Sequence, residues 1–291
     1  VGAHEPVLLA ETMELLAVRP GGFYVDGTLG QGGHAEEILR RSAPHGRLLA
    51  ADRDAEAIFA SRARLGPWGD RARFVQADFR ELPSHLQGQE ADAILLDLGL
   101  SSAQLDDPMR GFSFQADGPL DMRLDQSQGQ TAAEAVNRMS EPELADLIFR
   151  YGEERASRRI ARAIVAARRV ARIRTTTELA AIVRRAAGRP RPGLHPATRT
   201  FQALRIHVNR ELQGLGAAVL ALARCLRPGG RIAVIAFHSL EDREVKQAFR
   251  ELERSGFRRL TRKPLRPSAD EVRTNPRSRS ARLRGLVREA S

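Results

Sequence analysis

Four glycines fall within seven residues of this chain, Gly27-Thr28-Leu29-Gly30-Gln31-Gly32-Gly33, and His34 follows them. They come directly after the apolar run Phe23-Tyr24-Val25 and its closing carboxylate Asp26, and from Ala35 to Arg41 the pattern turns helical. Strand, glycine loop and helix N-terminus in that order restrict the fold, because the loop brings backbone N–H groups up to a ligand lying close to the chain. Glycine suits such a turn because it tolerates φ > 0 and has no Cβ to hold a ligand off. The spacing is neither G-x-G-x-x-G nor G-x-x-x-x-G-K-[ST], which points away from NAD and nucleoside triphosphates.

The pattern then repeats. Arg47 to Asp52 reads as a second buried strand ending in a carboxylate, Arg73 to Gln76 as a third leading into Ala77-Asp78-Phe79, and Ala91 to Asp97 as a fourth. Helical stretches separate them, from Glu11 to Val18, Ala35 to Arg41 and Ala55 to Arg64. Strands alternating with helices predict an α/β fold with a doubly wound, mostly parallel sheet, whose ligands sit at the carboxyl ends of the strands. Asp26, Asp52, Asp78 and Asp97 all fall at that edge. Asp52 lies twenty residues after Gly32, the separation at which an acid receives a ribose diol in a βαβ nucleotide site. Capping the helix that follows is its other reading.

A fifth strand, Arg231 to Phe237, arrives more than 130 residues after the fourth. One crossover needs only about 30 residues, so the sequence predicts an inserted helical domain over 106–206, with 1–105 and 207–291 forming the main domain. Ser140-Glu141-Pro142-Glu143 is a capping box ahead of Leu144, Leu147, Ile148 and Tyr151. Glu153 to Arg169 sets Ala156, Ile160, Ala163, Ile164 and Ala167 against Arg155, Arg158, Arg159, Arg162 and Arg169. Thr175-Thr176-Thr177-Glu178 opens another helix, a basic loop Arg189-Pro190-Arg191-Pro192-Gly193 follows, and Ala197 to Leu226 reads as one long helix. A helical insert beside the strand ends is well placed to hold a substrate.

The charge is lopsided, 47 Lys+Arg against 36 Asp+Glu, formally +11. Such a field favours a polyanion, nucleic acid above all. Only two of the basic residues are lysine, Lys246 and Lys263, so a GC-rich genome is a second source of arginine. From Arg258 to Arg288 there are eleven basic residues against Asp270 and Glu271. Phe257, Leu260, Leu265, Leu283, Leu286 and Val287 make this stretch an antiparallel pair with a basic outer face. Cys225 is the only cysteine, which excludes disulfides and thiolate metal sites; it precedes Leu226-Arg227-Pro228-Gly229-Gly230, a helix-ending turn. The first residues lack the charged-then-apolar order of a signal peptide, and no apolar run approaches a membrane span, so a soluble cytoplasmic protein is expected.

Glycine loop, ribose acid, Asp78-Phe79 and a fourth-strand acid fit an adenosine ligand with no phosphate-binding lysine, as in an S-adenosylmethionine methyltransferase. Asp52 would hold the ribose and Asp78-Phe79 would flank the adenine. The methionine carboxylate would sit near Gly33 and His34, at the positive end of the helix dipole.

Across nearly all its length the chain resembles one family, the bacterial 16S rRNA cytosine-N4 methyltransferases (RsmH, also MraW). The strings that carry the resemblance are His4-Glu5-Pro6-Val7-Leu8-Leu9, Asp26-Gly27-Thr28 through His34, Asp52-Arg53-Asp54 and Leu96-Asp97-Leu98-Gly99-Leu100-Ser101-Ser102. Gln104-Leu105-Asp106-Asp107, Arg110-Gly111-Phe112-Ser113-Phe114 and Gly118-Pro119-Leu120-Asp121-Met122-Arg123 continue it. Phe201 to Ile206, Phe237-His238-Ser239-Leu240-Glu241-Asp242-Arg243 and Asn275-Pro276-Arg277 complete it. The resemblance implies S-adenosyl-L-methionine as cofactor, with contacts at Gly32, Gly33, His34, Asp52, Phe79, Asp97 and Gln104. It implies N4 methylation of a decoding-centre cytidine, the substrate being 16S rRNA within the small ribosomal subunit or a late precursor of it, with no metal.

The exocyclic amine of cytosine is a weak nucleophile, so it must be held in line with the methyl donor beside a group that takes its hydrogen. Asp97 is the candidate acceptor, and His238 the next. Amino-methyltransferases follow this acid with Pro-Pro-aromatic, which Leu98-Gly99-Leu100 does not supply, so the aromatic platform falls to Phe112, Phe114 or Phe237. Methylation at carbon 5 would need a cysteine nucleophile, for which Cys225 is poorly placed. Two other classes are possible. A serine hydrolase would use Ser101 in Gly99-Leu100-Ser101-Ser102-Ala103 with Asp121 and His238, but the second glycine of the nucleophile elbow is missing. A ribosome-assembly factor would bind RNA through its arginines without catalysis.

Overall fold

The structure is a computed structural model that describes residues 6–188 and 195–290. His4, Glu5 and the basic loop 189–193 lie outside the described residues. In chain order the elements are α1 (Leu9–Leu16), β1 (Phe23–Asp26), α2 (Gly33–Arg41), β2 (Arg47–Asp52), α3 (Ala55–Leu65), β3 (Ala72–Gln76), α4 (Leu82–Leu86) and β4 (Ala91–Asp97). There follow α5 (Ser102–Asp106), α6 (Ala132–Arg138), α7 (Glu141–Gly152), α8 (Ser157–Val170), α9 (Thr176–Ala187), α10 (Thr198–Asn209) and α11 (Leu215–Arg224). Last come β5 (Leu226–Ala236), α12 (Ser239–Leu252), β6 (Phe257–Arg259), α13 (Ala269–Thr274) and β7 (Arg282–Arg288).

The chain forms two compact units, Val1–Leu100 with Gly214–Ser291, and Ser101–Gln213. The first carries a seven-stranded sheet in the order β3-β2-β1-β4-β5-β7-β6. Strands β1 to β5 pair in parallel, and β7 is antiparallel to both β5 and β6. Val25, Leu49, Ile94, Leu95, Ile232 and Val234 are almost completely buried, as continuous apolar strands covered on both faces must be. The order reverses between β1 and β4, which opens a crevice at their carboxyl ends.

The second unit is helical. Capping boxes start α6 at Thr131, α7 at Ser140 and α9 at Thr175, each with the glutamate three residues on closing the ring. Leu144, Leu147 and Ile148 of α7 and Ile160, Ala161 and Ile164 of α8 are buried, and α7 packs on both α8 and α10.

Three expectations are corrected. The long helix over 197–226 is two helices, because Arg210 (φ 50°) and Gly214 (φ 72°) adopt left-handed backbone that no α-helix accommodates. The apolar pattern runs on across this break, so periodicity alone does not reveal it. Leu226 to Gly230 is a bulge within β5: Ala91 and Ala93 of β4 face Leu226 and Arg231, and the extra residues loop out around Gly229 (φ 77°). The closing strands do pair antiparallel, but β7 is an interior strand between β5 and β6. Arg284 is accordingly buried, its guanidinium forked onto Asp242 at 2.7 and 3.1 Å, so it adds nothing to a basic outer face.

The break generates a paired prediction. Gly214 has only Arg80 Nε near the position of a Cβ, at 4.0 Å, so substitution there strains the backbone alone. Gly214→Ala is expected to lower unfolding free energy by about 1–2 kcal/mol in chemical denaturation. Gly216→Ala, inside α11 and in ordinary contact with Glu244, is expected to raise it by about 0.5–1 kcal/mol.

Candidate active site

The glycine loop leaves β1 between the ends of its neighbours and is pinned to both. Gly27 N–H donates to Leu95 O at 3.0 Å and Leu29 N–H to Ala51 O at 2.9 Å. Further along, Gly30 N–H donates to Asp52 Oδ2 at 2.9 Å and Ser61 Oγ–H to Gly30 O at 2.8 Å. Gly32, at φ 76°, ends the turn and caps α2. Helix geometry leaves the first N–H groups of α2, at Gly33 and His34, without intrahelical acceptors. A Cβ on Gly33 would lie 2.4 Å from the Pro6 ring, so that position requires glycine for close packing.

Around this loop stand three aspartates. β1 ends at Asp26, whereas its neighbours β2 and β4 each run two residues past their last pairing with β1, to Asp52 and Asp97. Asp26 is 1% exposed, and burial, with Asp97 and Asp52 nearby, raises its carboxyl pKa to about 7 against the pull of the Thr28 N–H. Burial and the neighbouring Glu241 raise Asp97 to about 7 as well, although Gly99 N–H donates to its Oδ1 at 3.2 Å. Asp52 is raised by burial and held back by the N–H groups of Asp54 and Gly30. Among the described residues no lysine or arginine forms an ion pair with any of the three; the His34 imidazole lies beside one of them, its Nδ1 3.8 Å from Asp97 Oδ2.

Each predicted contact in this unit touches the loop or the residues around it. His34 is 7% exposed, and its Nε2 is 3.1 Å from Val7 O, so Nε2 carries the proton. Asp52 does not cap α3; Asp54 does, accepting Glu56 N–H at 3.0 Å. Phe79 is buried, its Cβ close to Gly27, with the Arg80 guanidinium 4.5 Å from its ring centre. Asp78 is held by Arg80 at 2.8 Å and lies 3.6 Å from Arg53. Gln104 stands in the helical unit on α5, buried, and its Oε1 accepts Ser101 N–H at 2.9 Å in a capping box.

The hydrolase residues have other tasks. Ser101 Oγ caps α5, Asp121 is forked by Arg123 at 2.8 Å through both oxygens, and His238 caps α12 with Nε2 3.0 Å from Glu241 Oε1. Of the candidate aromatics, Phe112 is buried and Phe114 packs edge-on against Phe201 at 4.8 Å, both within the helical unit. Phe237 lies against Gly99, where a Cβ would come within 2.6 Å of its ring. Sequence reasoning placed Asp26 at the ligand edge of the sheet but gave no contact or catalytic role to it, to Thr28 or to Glu241. Thr28 Oγ1 accepts the Asp97 N–H, and Glu241, 2% exposed, bears on the Asp97 carboxyl. A signal existed for two of them: Asp26 closes its strand as Asp52 and Asp97 do, and Glu241 follows His238 at capping-box spacing.

Chemically, the crevice offers one buried and two half-buried carboxylates with no lysine or arginine paired to them among the described residues, the backbone of a helix start and the buried ring of Phe79. That donor set suits a ligand with positive charge at one end, a hydroxyl pair for Asp52 and a flat apolar ring. The MraW methylase family matches residues 2–289 of the chain. The Ribosomal RNA small subunit methyltransferase H of Syntrophus aciditrophicus is 50% identical over 306 aligned residues, covering 98% of this chain and 97% of that protein. The protein of the same name from Cyanothece sp. is 51% identical over 281 residues, covering 97% of this chain and 93% of that protein. Sharing half its positions with such relatives and matched by the family almost end to end, the chain belongs to the MraW methylase family.

Proposed function

We propose that this methylase transfers a methyl group from S-adenosylmethionine to the exocyclic N4 of a decoding-centre cytidine in 16S rRNA. The small ribosomal subunit or its late precursor would present that base, and the inserted helical unit would hold the RNA. The names of the relatives, which are ribosomal RNA small subunit methyltransferases, support the substrate class. The observation that carries the cofactor reading is the set of three carboxylates at one sheet edge with no lysine or arginine paired to them among the described residues. Bound there, the cofactor supplies an electrophilic methyl on a positively charged sulfur.

Asp52 is suited to a ribose. Its two oxygens offer about four acceptor positions, and the N–H groups of Gly30 and Asp54 each take one, on opposite oxygens. One acceptor remains on each oxygen, which matches two adjacent hydroxyls. Gly33 and His34 present N–H groups where a carboxylate gains from the helix dipole. Phe79 offers an apolar face to the adenine, while Gly32 keeps the backbone close. Asp97 has a carboxyl poised near neutrality, its Oδ1 fixed by Gly99 N–H, so it can take a hydrogen from an amine that becomes acidic as charge develops. Phe237 beside Gly99 would close that side of the site against water.

Methyl transfer from radiolabelled cofactor to small-subunit precursors from cells lacking the protein, followed by mass spectrometry of rRNA fragments, tests this reading. Label at the N4 position of one cytidine is expected; RNA binding without incorporation would leave an assembly factor instead. Asp52→Ala is expected to raise the cofactor Kd by roughly 30–150-fold, the equivalent of about 2–3 kcal/mol for hydrogen bonds to a charged group, with RNA affinity unchanged. Isothermal titration with each ligand separates the two effects.

Proton linkage gives a further outcome. Asp26 and Asp97 keep protons up to about 7, whereas unfolded carboxyls lose theirs near 4. Between those values the folded state binds more protons, so the stability of the cofactor-free protein is expected to fall as pH rises through that window. Asp26→Asn is expected to flatten the slope in thermal melts. A positive sulfur favours the ionised carboxylates, so S-adenosylmethionine affinity is expected to rise with pH through about 7. S-adenosylhomocysteine, with a neutral sulfur, is expected to show the shallower dependence.

A further inference from the structure

We infer that the outward arginine row of α8 and the turn after it, Arg158, Arg162, Arg169 and Arg172, is the surface that grips the phosphate backbone of the RNA substrate. The inference rests on the reading of the chain as an RNA methylase and specifies where that RNA lies. Helix α8 carries five arginines and no acidic residue over its fourteen positions. Ile160, Ala161, Ile164 and Val165 bury one side of it, so the helix cannot rotate to hide the other. At about 100° per residue, Arg158, Arg162 and Arg169 fall within an arc of about 40° on the exposed side. They span about 16 Å of helix, enough to meet several phosphates of one strand.

The arginines of this helix divide by task. Arg159 donates to Ala187 O at 2.7 Å and ties α8 to the end of α9, and Arg168 donates to Val136 O at 2.7 Å. These two hold the unit together. Arg162 meets Glu141 only at 3.6 Å and is 76% exposed. Among the described residues, Arg158, Arg169 and Arg172 form no ion pair and no side-chain hydrogen bond, and all three are exposed. Two other exposed arginines of the same unit pair with an acid four residues back, Arg138 with Glu134 and Arg150 with Asp146. On α8 that compensation is missing, and like charges at this spacing repel. From Arg155 to Arg185 ten arginines face a single acid, Glu178, and Glu154 just before them is committed to the Ala156 N–H at 2.8 Å. A polyanion relieves this repulsion; a neutral or basic partner does not.

The test compares two glutamine triples of equal charge change by equilibrium binding to small-subunit rRNA across a salt series. R158Q/R162Q/R169Q removes the row. R224Q/R250Q/R254Q removes three exposed arginines from the other compact unit. The row variant is expected to lose at least tenfold in RNA affinity near 0.15 M salt, and its log–log salt slope to shrink by about 2–3. The control triple is expected to stay within about twofold. S-adenosylmethionine affinity and the melting curve are expected to be unchanged in both, and R158K/R162K/R169K should keep the slope. Equal losses in the two triples, or no loss in the row variant, would overturn the inference. Methyl transfer by the unaltered protein to the same RNA-containing particles is measured alongside, so a failure of the methylase reading shows up separately.

Discussion

Carboxylates held largely out of water at the ends of three neighbouring parallel strands set the terms for the rest of the first unit. A parallel sheet covered on both faces leaves its strand ends as the place where polar groups can collect. Here β1, β2 and β4 each deliver an aspartate to that edge. Burial raises the pKa of each, helped at Asp26 by Asp97 and Asp52, at Asp52 by Asp54 and at Asp97 by Glu241. Such a cluster persists because backbone N–H groups reach each carboxyl, from Thr28 to Asp26 and Gly30 to Asp52 out of the glycine loop, and from Gly99 to Asp97 out of the turn after β4. The loop is thus part of the scaffold that makes the negative charge tolerable.

That electrostatic tension explains why a cationic methyl donor suits the crevice. A neutral or anionic ligand would deepen the deficit, whereas a sulfonium relieves it. Aspartates rather than glutamates close the strands, and their short side chains keep the carboxyls against the backbone donors. The second unit follows a different rule: capping boxes and apolar stripes build a helical body, and its arginines divide among backbone carbonyls, acidic partners and solvent.

The strands of the sheet were legible because each is a short apolar run closed by a polar residue; β2 and β4 begin and end where the pattern puts them. Capping boxes were equally legible, since both partners lie three residues apart. Breaks were not. Arg210 and Gly214 interrupt an apolar repeat without changing it, because backbone handedness leaves no trace in hydrophobic periodicity. Whether Asp52 caps α3 or is left for a ligand was also open in the sequence, as an acid at a strand-to-helix junction suits either; in the fold Asp54 takes the cap. Arg284 was read as surface because arginine normally is, and only the antiparallel strands on both sides of β7 enclose it.

The sequence by itself determined the kind of sheet and the glycine turn, since these depend on neighbours a few positions apart. Tertiary structure alone decided which aspartates are desolvated enough to hold a proton near neutrality, and which arginines of α8 are tied to carbonyls. Both outcomes depend on groups far away in the chain, such as Glu241 for Asp97 and Ala187 for Arg159. Burial and electrostatic pairing are properties of a folded neighbourhood, and a linear pattern carries no record of distances across it.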